Sequence, residues 1–127
     1  MIGEQILIVD DHAMSRKLLA HLMRANGYAV TVAIDAQSAL DVFRLHQPRV
    51  VLIDIQLPGM DGLEVVRLLR AERDSRRTLI IAVTSYAMQG DKDRALEAGC
   101  DQYFTKPIDT RAFPEAVTQA LQRPPNS

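Results

Sequence analysis

The chain has 127 residues, the usual size of one domain and enough to bury a core without a disulfide or structural metal. Apolar residues make up 47% and charged residues 24%, an ordinary globular balance, and a formal net charge of −1 argues against nucleic acid as a partner. No apolar run approaches a membrane span and Cys100 is the only cysteine, so no membrane partner, no intrachain disulfide and a cytoplasmic location are expected.

Gln5 to Val9 is a short apolar run that stops abruptly at Asp10 and Asp11. It is too short for a buried helix and reads as a strand covered on both faces. From Ala13 to Asn26, Met14, Leu18, Leu19, Leu22 and Met23 recur at helical spacing, with Arg16, Lys17, His21 and Arg24 mostly opposite and Gly27 as the stop. Tyr28 to Ile34 is a second strand. Asp35 caps a helix through His46 that buries Ala39, Leu40 and Phe43.

The pattern then repeats. Arg49 to Ile53 is a third strand, ending at Asp54, and a helix follows from Gly62 to about Asp74 with Leu63, Val66 and either Leu69 or Leu68 inward. The basic residues Arg70, Arg73, Arg76 and Arg77, interrupted by Glu72 and Asp74, read as a solvated helix end. Leu79 to Val83 is a fourth strand, ending at Thr84. A helix from about Gly90 to Ala98 stops at Gly99, and Cys100 behind it reads as a small buried hydrophobe. Gln102 to Thr105 is a fifth strand and Asp109 to Gln122 a last helix. Residues 1–122 thus form one domain, and 123–127, with two prolines, form a tail or linker.

Strands alternating with helices imply a doubly wound parallel sheet with helices on both faces. In such a sheet the functional crevice lies beyond the carboxyl ends of the strands. The first strand here ends in Asp10-Asp11, the third in Asp54, the fourth in Thr84-Ser85 and the fifth in Lys106-Pro107. One acidic strand end could be a helix cap, but polar residues at four strand ends point to a shared site. Carboxylates brought close repel one another, and a hard divalent cation with oxygen ligands offsets that repulsion. No thiolate or histidine cluster would draw zinc. A magnesium ion there is poised to bind phosphate, with Lys106 as a point charge and the Thr84 hydroxyl as a donor. A central carboxylate can itself be the nucleophile and form an acyl phosphate.

These residues, with Leu52 through Gly62, Val83 through Ala87 and Phe104 through Pro107, resemble the response-regulator receiver family over residues 5 to about 122. The resemblance implies a flavodoxin-like receiver fold with strand order 2-1-3-4-5 and five helices. It implies Asp54 as phosphoacceptor. It makes Asp11 and Asp54 direct ligands of Mg²⁺ (or Mn²⁺), with Asp10 mainly through water and Gln56 through its backbone carbonyl. Thr84 and Lys106 would bind phosphoryl oxygens, and Thr84 with Tyr103 would form the switch that alters an output face. The donor would be phosphohistidine on a histidine kinase or histidine phosphotransfer protein, and the output a downstream protein target.

Gln56 and Tyr86 flank the expected path of attacking water and are candidates for tuning the lifetime of the acyl phosphate. Met14, Ser15, Leu18 and Pro107 are candidate partner contacts, although Leu18 reads first as a core residue. Asp61 reads as a turn or cap residue, His12 as an exposed residue at the start of the first helix, and His21 and His46 as surface residues. A hydrolase of the aspartyl-phosphate phosphatase kind would want a second acid at position 56, where the chain has Gln56. A flavodoxin-like cofactor binder would want a glycine-rich phosphate loop, and a purely scaffolding receiver would not need the full set of chemical residues. The chain is expected to signal by its own phosphoryl chemistry, either standing alone or as part of a longer regulator or hybrid kinase.

Overall fold

The computed structural model describes residues 4–56, 61–85 and 89–122. The apolar runs form β1 (Gln5–Val9), β2 (Ala29–Ala33), β3 (Val50–Asp54), β4 (Leu79–Thr84) and β5 (Gln102–Thr105). All pair in parallel, in the order β2-β1-β3-β4-β5. The three central strands are buried along nearly their whole length, which is why they read as unbroken Val, Ile and Leu. The edge strands β2 and β5 are only partly covered.

The helices are α1 (Ala13–Ala25), α2 (Ala36–His46), α3 (Gly62–Arg70), α4 (Asp91–Ala98) and α5 (Ala112–Leu121). Successive strand residues point to opposite faces, so two cores form. Leu19, Met23, Phe113 and Val117 of α1 and α5 pack on Ile6, Ile8, Leu52 and Ile81. Phe43, Val66, Leu69 and Ala95 of α2, α3 and α4 pack on Leu7, Val51, Ile53 and Ile80. Each such side chain contributes about 1.5–3 kcal/mol when fully buried, before the entropy of ordering it. Among the described residues no helix is long and apolar enough to cross a membrane.

Asp35 caps α2 as expected. Its Oδ1 accepts from Ser38 N at 2.8 Å, and Ser38 Oγ accepts from Asp35 N at 3.3 Å. Bonds from the Ser38 side chain and backbone hold the Asp35 carboxyl below its ordinary range. His12, His21 and His46 are exposed, and Cys100 is buried.

Four expectations need correction. Leu18 is not core: it is 51% exposed, while Leu19, Ala20 and Met23 form the buried face of α1. The apolar stripe of α1 is wider than the sheet beneath it can cover. The third helix stops at Arg70 rather than Asp74, and Ser75–Arg77 forms a separate 3₁₀ turn. Arg70 is not a solvated helix end, because its guanidinium donates to the carbonyls of Ser75, Thr78 and Gly99 and pairs with Asp101. Arg73, Arg76 and Arg77 are exposed, as expected. The regular hydrogen bonding of the last helix begins at Ala112 rather than Asp109: Asp109 caps the turn before it, its carboxylate accepting from Arg111 N and Ala112 N and its carbonyl from Phe113 N, while Pro114 has no N–H to continue the ladder from there. The tail 123–127 lies outside the described residues.

Candidate functional site

Parallel pairing fixes where the strand ends meet. Val9 stands opposite Ile53, so the chain leaving β1 into Asp10 and Asp11 runs beside Asp54. Thr84 stands opposite Thr105, which brings Lys106 alongside, and Lys106 N donates to Thr84 O at 2.8 Å. Carboxylate oxygens of Asp10, Asp11 and Asp54, one from each, all lie within 4.8 Å of one another. Asp10 is 1% and Asp54 8% exposed, whereas Asp11 opens to solvent.

Both buried carboxylates are held at each oxygen. Asp10 Oδ1 accepts from His12 N at 2.9 Å and Asp54 Oδ1 from Gln56 N at 2.8 Å. Their other oxygens accept from Lys106 Nζ, at 3.0 Å for Asp10 Oδ2 and 3.2 Å for Asp54 Oδ2. Each aspartate at a strand end thus bonds the main-chain N–H two residues on, a local turn that orients the side chain as the strand finishes. Three carboxylates against one ammonium leave the cluster with excess negative charge, much of it out of water. That arrangement is unfavourable unless a cation joins it. The donors are all oxygen, which suits a hard divalent ion. His12 is not among them: its Nδ1 accepts from Ser15 N at 3.3 Å and caps α1.

The approach to Asp54 depends on a close contact. A Cβ added at Gly62 would fall 2.3 Å from Ile55 Cα, so only glycine lets α3 start against the segment leaving β3. Asp61, as expected of a cap, accepts from Leu63 N at 2.9 Å through Oδ1.

The remaining candidates fall into distinct places. Thr84 is fully buried at the end of β4. An open cleft of about 600 Å³ runs from Asp11 and Asp54 past Lys106 to Met14, Ser15, Leu18 and Pro107. Met14 is 76% exposed at its rim, and Gln56 lines it beside Asp54. Tyr103 is half-buried against the α2–α4 side of the core, and its hydroxyl is buried with no hydrogen-bond partner among the described residues. Burial, then the negative charge of Asp91, pushes the Tyr103 phenol above its ordinary value. Tyr86 lies outside the described residues. The sequence reading assigned Lys106 to phosphate oxygens and missed that it already bridges Asp10 and Asp54. It also missed the two backbone N–H clamps, whose signal is the strand-terminal aspartate itself.

Comparison with known proteins agrees with this geometry. The family model of the response regulator receiver domain matches residues 6–118. The polar-differentiation response regulator DivK of Brucella ovis is 38% identical over 118 residues, covering 93% of this chain and 96% of that protein. Among solved structures, a CheY-like receiver domain protein of Methanospirillum hungatei superposes with a TM-score of 0.86 at 30% identity, covering 94% of each chain. The receiver domain of a sensor histidine kinase of Pseudomonas aeruginosa, solved with a magnesium ion coordinated in its active-site cleft, gives 0.87 at 30% identity and covers 95% of this chain and 99% of its own.

Proposed function

This chain belongs to the response-regulator receiver family, and we propose that Asp54 is the residue on which it carries the phosphoryl group. A phosphoacceptor receiver works in two-component signalling. Here Asp11, Asp54 and the Gln56 carbonyl would hold Mg²⁺ (or Mn²⁺) directly, and Asp10 mainly through water. One observation carries the reading: Asp10, Asp11 and Asp54 converge within 4.8 Å, with Lys106 bonded to two of them.

The ion, when bound, would supply the positive charge that neutralises the phosphoryl oxygens. The side chains do the rest. Gln56 N–H holds one oxygen of Asp54, which stops the carboxylate rotating away from the incoming phosphorus. Asp54 attacks as a carboxylate, so no base is needed to remove a proton. The new P–O bond forms as the P–N bond of phosphohistidine breaks, and the imidazole nitrogen keeps the electron pair. Lys106 turns from the carboxylates to the transferred phosphoryl group, and the Thr84 hydroxyl donates to another of its oxygens.

The donor is a histidine kinase or histidine phosphotransfer protein that seats on Met14, Ser15, Leu18 and Pro107 along the cleft. Such donors work in the cytoplasm, and that is the location assigned here. Movement of Thr84 toward the phosphate and of Tyr103 inward then changes the face read by a downstream protein target. The chemistry is confined to making and losing the chain's own acyl phosphate. Gln56 and Tyr86 set the lifetime of that bond, so Tyr86→Ala loses its phosphate faster.

The direct test uses acetyl phosphate with Mg²⁺ and intact-protein mass measurement. The protein gains the mass of one phosphoryl group, and neither Asp54→Asn nor chelator-treated protein does. Continued labelling of Asp54→Asn would refute the assignment. A second arm replaces Met14 with Asp. Transfer from a phosphotransfer protein falls roughly tenfold, while labelling by acetyl phosphate is unchanged.

A further inference from the structure

β2 is an edge strand without the usual protections. Ala29–Ala33 carries no charge and no proline, and its register with β1 runs unbroken from Ala29 to Ala33. Ala29 N donates to Glu4 O at 3.0 Å, and Ala33 O accepts from Asp10 N at 3.1 Å. Alternate residues of an edge strand bond inward, so Ala29, Thr31 and Ala33 turn their main-chain groups to β1. Val30 and Val32 present theirs to solvent, and the Val32 side chain is 40% exposed.

The helix beside this edge is charged in one sense only. α1 contains Arg16, Lys17, His21 and Arg24 and no acidic residue. These four, with Ala20 and Val32, line an open groove of about 410 Å³. It shares no lining residue with the cleft at Asp54. Arg16 is engaged with Asp10 O at 3.0 Å. Lys17, His21 and Arg24 recur at spacings of four and three along one exposed stripe, and none of them has an ion-pair partner among the described residues. In a chain with a formal net charge of −1, this is a local excess of positive charge.

We propose that the β2 edge and the α1 stripe form a docking site for an extended acidic segment of a partner protein. The segment adds to the sheet beside β2, with its acidic side chains under Lys17, His21 and Arg24. Val30 packs on the α1 side of the sheet and Val32 lines the groove, so every second residue of the added strand faces α1. Alternate strand residues lie roughly 6.6 Å apart, and Lys17 and His21 are separated by about 6 Å along the helix axis. The two repeats therefore match. Main-chain bonds to Val30 and Val32 provide affinity, and charge selects the segment. A nucleic acid satisfies the charges but has no strand to offer the edge.

The test uses the whole chain and a synthetic peptide alternating glutamate and valine. Hydrogen exchange slows at the Val30 and Val32 amides, while those of Ala29, Thr31 and Ala33, already bonded to β1, are unaffected. The double variant Lys17→Glu, Arg24→Glu binds the peptide roughly tenfold more weakly. It still accepts label from acetyl phosphate, so a lost docking site is distinguished from a damaged phosphoacceptor site. A peptide N-methylated at alternate residues, in the register that faces β2, does not bind. Equal binding of the methylated peptide, no slowing at Val30 and Val32, or equal competition by single-stranded DNA of matched charge would each overturn the proposal.

Discussion

Lys106 Nζ lies 3.2 Å from Asp54 Oδ2, so the lysine proposed to bind the transferred phosphoryl oxygens is already paired with the carboxylate proposed to accept the group. The same ammonium is 3.0 Å from Asp10 Oδ2, and it is the one cation bonded to these two buried carboxylates among the described residues. Lys106→Met leaves them facing each other uncompensated. In metal-free buffer the variant loses about 2–3 kcal/mol of stability. It also binds Mg²⁺ more tightly, by about 1 kcal/mol or roughly fivefold, because a competing positive charge has gone. Urea denaturation with and without Mg²⁺ and a direct cation titration measure both effects. Unchanged or weaker Mg²⁺ affinity would mean that Lys106 does not share the cation's field.

Gly62 makes a prediction tied to the site through the backbone. A methyl group there would meet the Cα, carbonyl carbon and carbonyl oxygen of Ile55 at 2.3–2.5 Å, and backbone cannot step aside as a side chain can. Ile55 follows Asp54 directly, and its carbonyl accepts from Gly62 N at 3.1 Å. Gly62→Ala therefore destabilises by about 2 kcal/mol or more. In the fraction that remains folded, acetyl phosphate labels Asp54 more slowly. Thermal melts and labelling kinetics read the two separately, and a variant matching the original protein in both would show that the connection yields without cost.

Much of this was legible in the sequence for a physical reason. β1, β3 and β4 are buried on both faces, so each is a continuous apolar run that ends sharply where the crevice begins. The polar residues that interrupt them, Asp10, Asp54 and Thr84, are the site residues themselves. The end of α3 was not legible, because Ala71, Glu72 and Arg73 are tolerable helix residues and no breaker precedes Asp74. The helix stops there as Glu72 N turns back to Leu69 O, the Ser75 hydroxyl donates to the Arg70 carbonyl and Asp74 adopts a left-handed backbone, while the Arg70 side chain reaches the Gly99 carbonyl 29 residues away in the chain. Leu18 misled for a related reason: helical spacing identifies an apolar stripe but not how much of it the sheet covers. The Tyr103 hydroxyl, without a hydrogen-bond partner among the described residues, has no local sequence signature either, since its surroundings come from α2, α3 and α4.

Arg70 is accordingly the position where a conservative change fails. Its Nε donates to Gly99 O at 2.7 Å, and Nη1 donates to Ser75 O at 2.6 Å and Thr78 O at 2.8 Å. Nη2 pairs with Asp101, whose Oδ2 also accepts from Ile80 N. The planar guanidinium ties the end of α3, the start of β4 and the turn before β5 together. Arg70→Ala leaves carbonyls without donors and costs about 2–4 kcal/mol. Arg70→Lys recovers less than half of that, because an ammonium cannot span the same fork. Chemical denaturation of the two variants checks the order. Full recovery by lysine would reduce the network to a simple charge effect.

Cys100 predicts a loss of stability at alkaline pH. Burial pushes its thiol from an ordinary 9.0 up to about 12, with the charge of Arg70 opposing and that of Asp101 reinforcing the shift. The folded protein keeps the proton while the unfolded chain releases it, so the unfolded state binds fewer protons above pH 9 and stability must fall as pH rises. The decline begins near pH 9 and levels off near pH 12, at about 1.4 kcal/mol per pH unit between. Below pH 9 the thiol is protonated in both states and adds no slope. Cys100→Ala removes this contribution while leaving that of Tyr103, whose phenol is also raised. The difference between the stability curves of the two proteins isolates the thiol. Parallel curves from pH 8 to pH 11 would mean that the thiol ionises as readily folded as unfolded, and that its burial between Ala98 and the β5 turn is looser than the packing implies.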